Sequence, residues 1–349
     1  MLADRPDLWP CRRRADALAA AVLRRRTLLT MLLGAVLTVT SATYRQRGEG
    51  GLRPFRYEEL RRQWRHCADG VIGGDSRVQR GVCPSVMSPP LGARRLVNLA
   101  YPHAALTPAY LARLAETLDP RSTRRLIVLG VTPASLTPAA CRLSEFARSA
   151  RSSGLHGGRR LVEWLFQPYG LDGLWRLLTA QSPQGASYFS PDGWRGAVTN
   201  MFAPKQEATR LRDRREAGAV EPLDPGLVGA LFEQVSRWNA EGIHVYGFRP
   251  PTNSATVAIE NAAYGFEEAT FVAGFESAGG VWIDLPADAY ATYDGSHLDG
   301  AAAVELSAHL GLRIALEEAT WPTVCPAGRK DEPAQRAEVQ ATPNQADNF

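Results

Sequence analysis

Residues 125–130 read Arg-Leu-Ile-Val-Leu-Gly, and the last five form an apolar run without the alternation that marks a half-exposed strand. Similar runs alternate with helical patterns along the chain: runs near 69–73, 95–100, 242–248 and 280–285, and helical patterns near 107–118, 139–150, 226–240, 254–264 and 299–312. Apolar strands that alternate with helices form parallel sheets covered on both faces. The sequence therefore predicts an α/β fold with about five parallel strands.

The predicted domain covers 68–318 and has one interruption. Residues 151–225 are rich in Gly, Pro, Trp and Arg and break the alternation of strands and helices. We interpret them as an insertion over the sheet, either a lid or substrate rim or a surface loop. A linker over 45–67 precedes the domain. The polar, proline-containing segment 319–349 predicts a disordered tail.

The excess positive charge is confined to the N-terminus. The whole chain has a formal net charge of +4, and residues 1–26 contain seven arginines and three aspartates, so the remainder is neutral. A basic face that binds phosphates is therefore not expected, and nucleic acid is excluded as a partner. The hydrophobic content of 45% supports a folded core and excludes a mainly disordered or coiled-coil chain.

A long uncharged segment follows Arg24-Arg25-Arg26. Residues 27–44 contain no charged side chain, and eighteen residues in a helix span about 27 Å, close to the thickness of a bilayer core. Positive charge before the segment predicts a cytoplasmic N-terminus over 1–26 and an exported domain. We expect a single-pass membrane signal-anchor at 27–44. The alternative is a cleaved export signal and a secreted or periplasmic protein.

The cysteines fit an exported domain without defining a cofactor site. Cys67, Cys83, Cys141 and Cys325 would lie outside the cytoplasm, where disulfides are permitted, but their pairing stays open. Their spacing contains no CxxC or Cys/His pattern typical of zinc. The sequence implies no metal and no organic cofactor.

Two separated motifs supply the groups of a nucleophilic site. Gly73-Gly74-Asp75-Ser76-Arg77 follows the first predicted strand, where parallel sheets bind ligands, and a serine opening a helix there exposes its Oγ. The loop after the last strand contains Asp294 and His297. Their spacing lets the carboxylate hold Nδ1–H of the imidazole, which leaves Nε2 to take the serine proton.

Gly74-Asp75-Ser76 and Asp294-x-x-His297 resemble the first and last blocks of the SGNH (GDSL-type) hydrolases, over roughly 68–315. The resemblance implies a three-layer α/β/α, flavodoxin-like fold, with Ser76 as nucleophile, His297 as general base and Asp294 as its orienting partner. With the N-terminal anchor and the run 293–298, Tyr-Asp-Gly-Ser-His-Leu, the chain is similar to exported members that modify cell-surface polymers. Those related to alginate acetylation and teichoic-acid D-alanylation are examples.

The oxyanion blocks of this family are altered here. The family places a glycine after the second strand and an asparagine after the third, whereas this chain has Ala104 and Thr132 nearby. A backbone N–H near Ala104 and the hydroxyl of Thr132 or Ser135 are candidate replacements, and Gly74 belongs to the same candidate set. Since one missing donor can cost on the order of 10²–10³ in rate, these departures weaken the expectation of efficient catalysis.

Two further candidates follow the fourth predicted strand. Arg249 either binds an acidic substrate group or forms a salt bridge, and Asn253 either contacts substrate or caps the next helix. The complete set predicts an exported serine esterase or acyltransferase acting on acylated carbohydrate or an envelope polymer. A membrane-bound O-acyltransferase is a candidate partner. The alternative is a weakly active or inactive protein of the same fold that binds a polymer or acts as a scaffold.

Overall fold

A five-stranded parallel sheet organises the domain. The computed structural model of the chain describes residues 24–36, 54–151, 187–197, 206–218 and 220–320. Seven strands lie in this part: β1 (Gly70–Gly73), β2 (Leu96–Asn98), β3 (Leu126–Gly130), β4 (Ser187–Phe189), β5 (Arg195–Ala197), β6 (His244–Phe248) and β7 (Val281–Ile283). The parallel sheet has the order β2-β1-β3-β6-β7, which is the order of flavodoxin-like domains. All five predicted strands are confirmed.

Helices connect the strands of the sheet, and two 3-10 turns, Pro89–Leu91 and Pro133–Leu136, lie in the loops. The helices of the described residues are α1 (24–36), α2 (Pro54–Gln63), α3 (Ser76–Gly81), α4 (Pro84–Met87), α5 (Pro108–Thr117), α6 (Pro138–Leu143), α7 (Glu145–Arg151), α8 (Gln206–Glu216), α9 (Pro225–Ala240), α10 (Ser254–Tyr264), α11 (Glu268–Ser277) and α12 (Gly300–Thr320). The helix predicted over 139–150 is two helices that meet at Ser144. The last helix continues past its predicted end, through the predicted boundary at 318, and 321–349 lie outside the described residues.

The two faces of the sheet form separate apolar cores. In β3, Ile127 and Leu129 pack with α5 and α9 on one face, while Leu126 and Val128 pack with α3, α4 and α12 on the other. All four side chains are fully buried, which explains why the run shows no polar alternation. The helices therefore cover both faces of the sheet, as predicted for an α/β fold.

The segment predicted as a linker, 45–67, contains part of the folded domain. Tyr57 and Arg61 of α2 are 1% and 0% exposed, and the Arg61 guanidinium lies 3.9 Å from the ring centroid of Tyr101. Arg61 also donates a hydrogen bond to the carbonyl of Ala100. The domain thus begins at least as early as Tyr57, because a cation–aromatic contact and a satisfied carbonyl hold this polar helix in place.

The insertion predicted over 151–225 contains both ordered elements and residues outside the description. β4 and β5 form an antiparallel hairpin. In its turn, the carbonyl of Asp192 accepts the Asn98 N–H at 2.7 Å. Gly193 in this turn has φ +93°, and a Cβ there would lie 2.1 Å from the Asn98 carbonyl oxygen. The hairpin therefore lies on the edge strand β2, and glycine is required at its turn.

The predicted membrane segment 27–44 is described only over 27–36, within α1. Its large apolar side chains are exposed: Leu28, Leu29, Met31, Leu32, Leu33 and Val36. Of the helices in the described ranges, none combines the length and the apolar character that a membrane crossing requires. The segment 1–26, predicted to be cytoplasmic, lies outside the described residues except for 24–26.

Three of the cysteines lie in the described part of the chain, and each is a free thiol. Cys83 is buried, and Cys67 and Cys141 are partly buried. Burial raises the pKa of all three thiols, which keeps them protonated at neutral pH. Cys11 and Cys325 lie outside the described residues, so the pairing of the four cysteines that are predicted to be exported stays open.

Candidate active site

A tight turn after β1 presents Ser76 at the carboxyl end of the sheet. Gly74 has φ +149°, and a Cβ at this position would lie 2.4 Å from Val78 and 2.7 Å from the Gly130 carbonyl oxygen, so only glycine fits. Asp75 caps α3 by accepting the Arg77 N–H at 2.9 Å. Ser76 is the first residue of that helix and is partly exposed. The turn therefore aims the serine hydroxyl at the rim of the sheet.

The loop between β7 and α12 holds the histidine in one orientation. Asp294 Oδ2 lies 2.9 Å from Nδ1 of His297, while Asp294 Oδ1 accepts the backbone N–H groups of Ser296 and His297 at 2.9 and 2.7 Å. The ring of Tyr293 stacks on the imidazole with a centroid distance of 5.7 Å and an interplanar angle of 14°. The imidazole is thus fixed both at its Nδ1 edge and on one face.

The carboxyl group of Asp294 is ionised over the physiological range. Burial on its own would raise the pKa of this acid, but the hydrogen bond and charge of His297, with the backbone N–H groups of His297 and Ser296, outweigh burial. Together they lower the pKa of Asp294 from 3.8 to about 2. An ionised carboxylate can only accept, so Nδ1 of His297 carries the proton that they share.

The structure brings the three predicted side chains together. Ser76 Oγ lies 2.9 Å from His297 Nε2, although the two residues are 221 positions apart in the chain. With Nδ1 protonated, Nε2 is the acceptor, and the serine hydroxyl donates to it. The resulting chain of hydrogen bonds, from Ser76 to His297 to Asp294, can remove a proton from the hydroxyl and stabilise the imidazolium that forms.

The predicted oxyanion candidates donate to protein acceptors. The Gly74 N–H donates to the Tyr110 hydroxyl at 2.9 Å, the Ala104 N–H to the Tyr101 carbonyl at 3.0 Å, and the Thr132 hydroxyl to Asp75 Oδ2 at 2.8 Å. Thr132 therefore braces the turn that carries Ser76. Ser135, the other hydroxyl candidate, donates to the Thr132 carbonyl at 2.7 Å. All four donors therefore have acceptors within the protein.

The structure places the remaining two candidates in structural contacts. Arg249 is 7% exposed and pairs with Glu260 at 2.9 Å and with Glu268 at 2.6 Å. Asn253 caps α10, because its Oδ1 accepts the Thr256 N–H at 2.8 Å. The salt-bridge and helix-cap alternatives thus describe their contacts, and a substrate role is not needed to explain either residue.

A cleft opens beside Ser76. It has a volume of about 80 Å³, and its apolar side is built mainly from small side chains of the loops and helices after β2 and β3: Ala104, Ala134, Ala139, Ala140 and Leu143. His103, Arg214 and Tyr264 add polar groups. Arg214 belongs to α8, whose Glu207 N–H donates to the main-chain carbonyl of Asp294 at 3.0 Å. The inserted segment therefore contributes both to the cleft and to the support of the histidine loop.

Two features of this cleft could not be predicted from the sequence: the backbone conformation of His103 and the helix that carries Arg214. His103 has φ +52°, in the left-handed region that residues other than glycine rarely adopt, and the sequence does not predict this angle. Arg214 lies in a polar stretch without helical periodicity in its apolar residues. Among the described residues, no group of three or more His, Cys, Asp or Glu side chains is placed to hold a metal ion.

No protein-family model matches the chain, and no curated protein matches it.

Proposed function

We propose that the protein is a serine esterase or acyltransferase of the SGNH type that acts on ester-linked acyl groups of carbohydrate or envelope polymers. The observation that carries the proposal is the hydrogen-bonded chain of Ser76, His297 and Asp294 at the carboxyl edge of a parallel sheet. The order of the strands and the two motifs that hold these residues are those of the family that the sequence resembles.

The chemistry follows from the hydrogen bonds. His297 Nε2 takes the hydroxyl proton of Ser76 while Oγ bonds to the ester carbonyl carbon, whose π electrons move to the oxygen. When the carbonyl reforms, the ester C–O bond breaks, and the leaving alkoxide receives the proton from His297. The acyl group stays on Ser76. Water in hydrolysis, or a carbohydrate hydroxyl in transfer, then attacks the acyl carbon while His297 accepts its proton. The bond from this carbon to Ser76 Oγ breaks, and His297 returns the proton to Oγ.

The proposal requires donors for the oxyanion. The Ser76 N–H is the first amide of α3 and has no acceptor within the helix. His103 lines the same cleft, and within the described ranges its N–H has no hydrogen-bond partner. We assign these two backbone amides as the oxyanion donors. They replace the side-chain and glycine donors that the family resemblance implies.

The size of the cleft points to a short acyl group. Four alanines and one leucine line a space of about 80 Å³ beside Ser76. The acyl carbons would contact apolar atoms there, and a short acyl chain would fill the space. The alcohol part of the ester must then lie outside the cleft, where a polymer has room. A membrane-bound O-acyltransferase that supplies or removes acyl groups is the candidate partner.

A fluorophosphonate probe tests the proposed nucleophile. The folded wild-type protein should be labelled on Ser76, Ser76→Ala should not be labelled, and His297→Ala should react at least about 10³-fold more slowly because the base is lost. Ser135→Ala is the matched control, since Ser135 lines the same cleft but donates to a carbonyl. It should be labelled like the wild type. A folded wild-type protein without label contradicts the proposal.

The second candidate function is that of a polymer-binding or scaffold protein with this fold. It is favoured by the four predicted oxyanion donors, all of which are satisfied within the protein. It predicts no labelling of Ser76, together with binding of the polymer that Ser76→Ala does not weaken. The labelling experiment therefore separates the two functions.

The predicted localisation belongs to the same proposal. We infer that residues 27–44 anchor the protein in a membrane with the domain exported, as the uncharged segment after three arginines indicates. A phosphatase reporter joined after Phe349 should be active only outside the cytoplasm. A fusion that is expressed in full but has an inactive reporter would exclude both the anchor and the cleaved signal.

A further inference from the structure

Two buried residues next to the triad are bonded to each other. Arg77 follows Ser76, and Ser296 precedes His297. The Arg77 Nε donates to Ser296 Oγ at 2.7 Å, and the two residues are 8% and 3% exposed. This hydrogen bond joins the turn after β1 directly to the loop before α12. It therefore links the two segments that must meet for Ser76 to reach His297.

The contact continues as a buried chain of charges. The Arg77 Nη2 pairs with Oε1 of Glu260, whose side chain is 2% exposed, and Oε2 of the same carboxylate accepts from Arg249 Nη2 at 2.9 Å. Arg249 then reaches Glu268 through Nη1 at 2.6 Å. Two cations and two anions alternate along this path, so the network carries no net charge.

The protonation states in this network are the charged ones. Burial alone would raise the pKa of Glu260, but the two guanidiniums outweigh it and lower that pKa below its ordinary value. Arginine remains protonated at every accessible pH. The ion pairs of Glu260 with Arg77 and Arg249 are therefore present at neutral pH.

Stability alone does not account for burying these groups. Removing the charges of Arg77, Glu260 and Arg249 from water costs about as much as their pairing returns, so a buried ion-pair network contributes little net stability while fixing geometry. The guanidinium group of Arg77 restrains orientation as well as distance. Nε and Nη2 lie on one edge of the planar group, so bonds to Ser296 and Glu260 set both the position and the plane of the guanidinium.

The geometry points to Arg77, Ser296 and Glu260 as positioning residues that keep Ser76 Oγ within hydrogen-bond reach of His297 Nε2. This inference rests on the proposed function. Arg77 and Ser296 each move with a neighbouring triad residue, and Glu260 ties both to α10 and, through Arg249, to the end of β6. Without the link, the serine turn and the histidine loop would be joined by the hydrogen bond from Arg80 to the Tyr293 hydroxyl and by the 2.9 Å contact of Ser76 with His297 itself.

Ser296→Ala is the sharpest test. Alanine keeps the backbone N–H that donates to Asp294 and removes only the hydroxyl that Arg77 contacts. Arg77→Lys keeps the charge but cannot hold Ser296 and Glu260 with one planar edge. Arg94→Lys is the matched control. Arg94 donates two hydrogen bonds to Glu318 and is similarly buried, but it lies just before β2, at the amino ends of the strands and away from the triad.

Two readouts are measured on folded protein, below the onset of unfolding. The first is the second-order rate constant of fluorophosphonate labelling, which should fall about 10- to 100-fold in Ser296→Ala and Arg77→Lys, because small misplacements of reacting groups have effects of this size. The second is the downfield proton signal of His297 Nδ1, which should be lost or broadened in both variants. Arg94→Lys should match the wild type in both readouts.

The outcomes separate this inference from the proposed function. Labelling within twofold of wild type and an unchanged His297 signal in Ser296→Ala would overturn the positioning role while the proposed function stands. If the wild type is not labelled at all, the proposed function fails and the proton signal alone decides. Its loss in Ser296→Ala then supports the positioning role, and its retention overturns it. Should Arg77→Lys not fold, Ser296→Ala gives the same decision.

Discussion

Asp294→Asn changes one atom of the candidate triad and should inactivate it. The asparagine carbonyl can still accept the N–H groups of Ser296 and His297, so the loop keeps its backbone bonds. The amide NH₂ then faces Nδ1 of His297, where the carboxylate was 2.9 Å away. Two donors cannot share a hydrogen bond, so the imidazole adopts the other tautomer, with its proton on Nε2.

The size of the effect follows from that tautomer. Nε2–H would donate to Ser76 Oγ instead of accepting its proton, and the imidazolium would lose its neighbouring carboxylate. Loss of the base and of its counter-charge corresponds to about 10⁴ in rate, or roughly 5.5 kcal/mol of activation free energy. The isosteric change leaves the fold intact, so the loss should be seen in the rate and not in the yield of folded protein.

The assay is the rate of fluorophosphonate labelling, with hydrolysis of p-nitrophenyl acetate as a second measure. Asp299→Asn is the control, because Asp299 lies two residues after His297 and accepts the Ala302 N–H at 2.8 Å, a bond that asparagine also makes. It should react like the wild type. A folded Asp294→Asn protein that is labelled within tenfold of the wild-type rate would refute the assignment of the tautomer and of Asp294's role.

Three further outcomes are expected. The lowered pKa of Asp294 contributes about 2 kcal/mol of folding stability, which is complete above its unfolded pKa of 3.8 and is lost as the pH falls towards 2. The free energy of urea unfolding should therefore depend less on pH in Asp294→Asn than in the wild type over this range. Equal pH dependence of the two proteins would contradict this prediction. Ala140→Leu should fill the cleft and lower the ratio of butyrate to acetate ester hydrolysis by about tenfold, and a ratio that stays the same would place the acyl group elsewhere. Arg61→Leu should lower the free energy of unfolding in urea by about 3 kcal/mol, because it removes a fully buried cation and leaves the Ala100 carbonyl without its donor. Arg95→Leu, at an exposed ion pair, should lower it by less than about 1 kcal/mol.

The sheet and the triad could be predicted because their signals are local. A strand buried on both faces needs an apolar run, and each of the five runs stands out from its polar flanks. Ser76 and the Asp294–His297 pair lie directly after strands, and the carboxyl ends of parallel strands meet at one edge. Joining residues 221 positions apart needed only the fold class and the order of the strands.

The parts that escaped prediction depend on contacts that residue types do not reveal. The helix α2 reads as polar, with Glu58, Glu59 and Arg62 around Arg61, so nothing in its composition indicates that Arg61 stacks on Tyr101 with no exposure. Long basic side chains are usually counted as solvent-facing, and here the planar guanidinium finds an aromatic ring and a carbonyl.

The sequence predicted a backbone N–H near Ala104 and the hydroxyl of Thr132 or Ser135 as oxyanion donors. The structure shows that the side chain at such a position can be committed elsewhere, as Thr132 is to Asp75. A backbone amide is a donor in every residue except proline, and its direction depends on φ and ψ. The left-handed conformation of His103 sets the direction of its amide, and no residue pattern in the loop encodes that angle.

The hydrogen bond from α8 to the Asp294 carbonyl has a consequence for moving this chemistry to another scaffold. Copying the serine turn and the histidine loop would leave that oxygen open to solvent, with one restraint on the loop fewer than in the original protein. A faithful graft needs three pieces of chain, and the third comes from a stretch that carries no recognisable motif. Homologues that shorten this stretch would have to anchor the loop with some other donor.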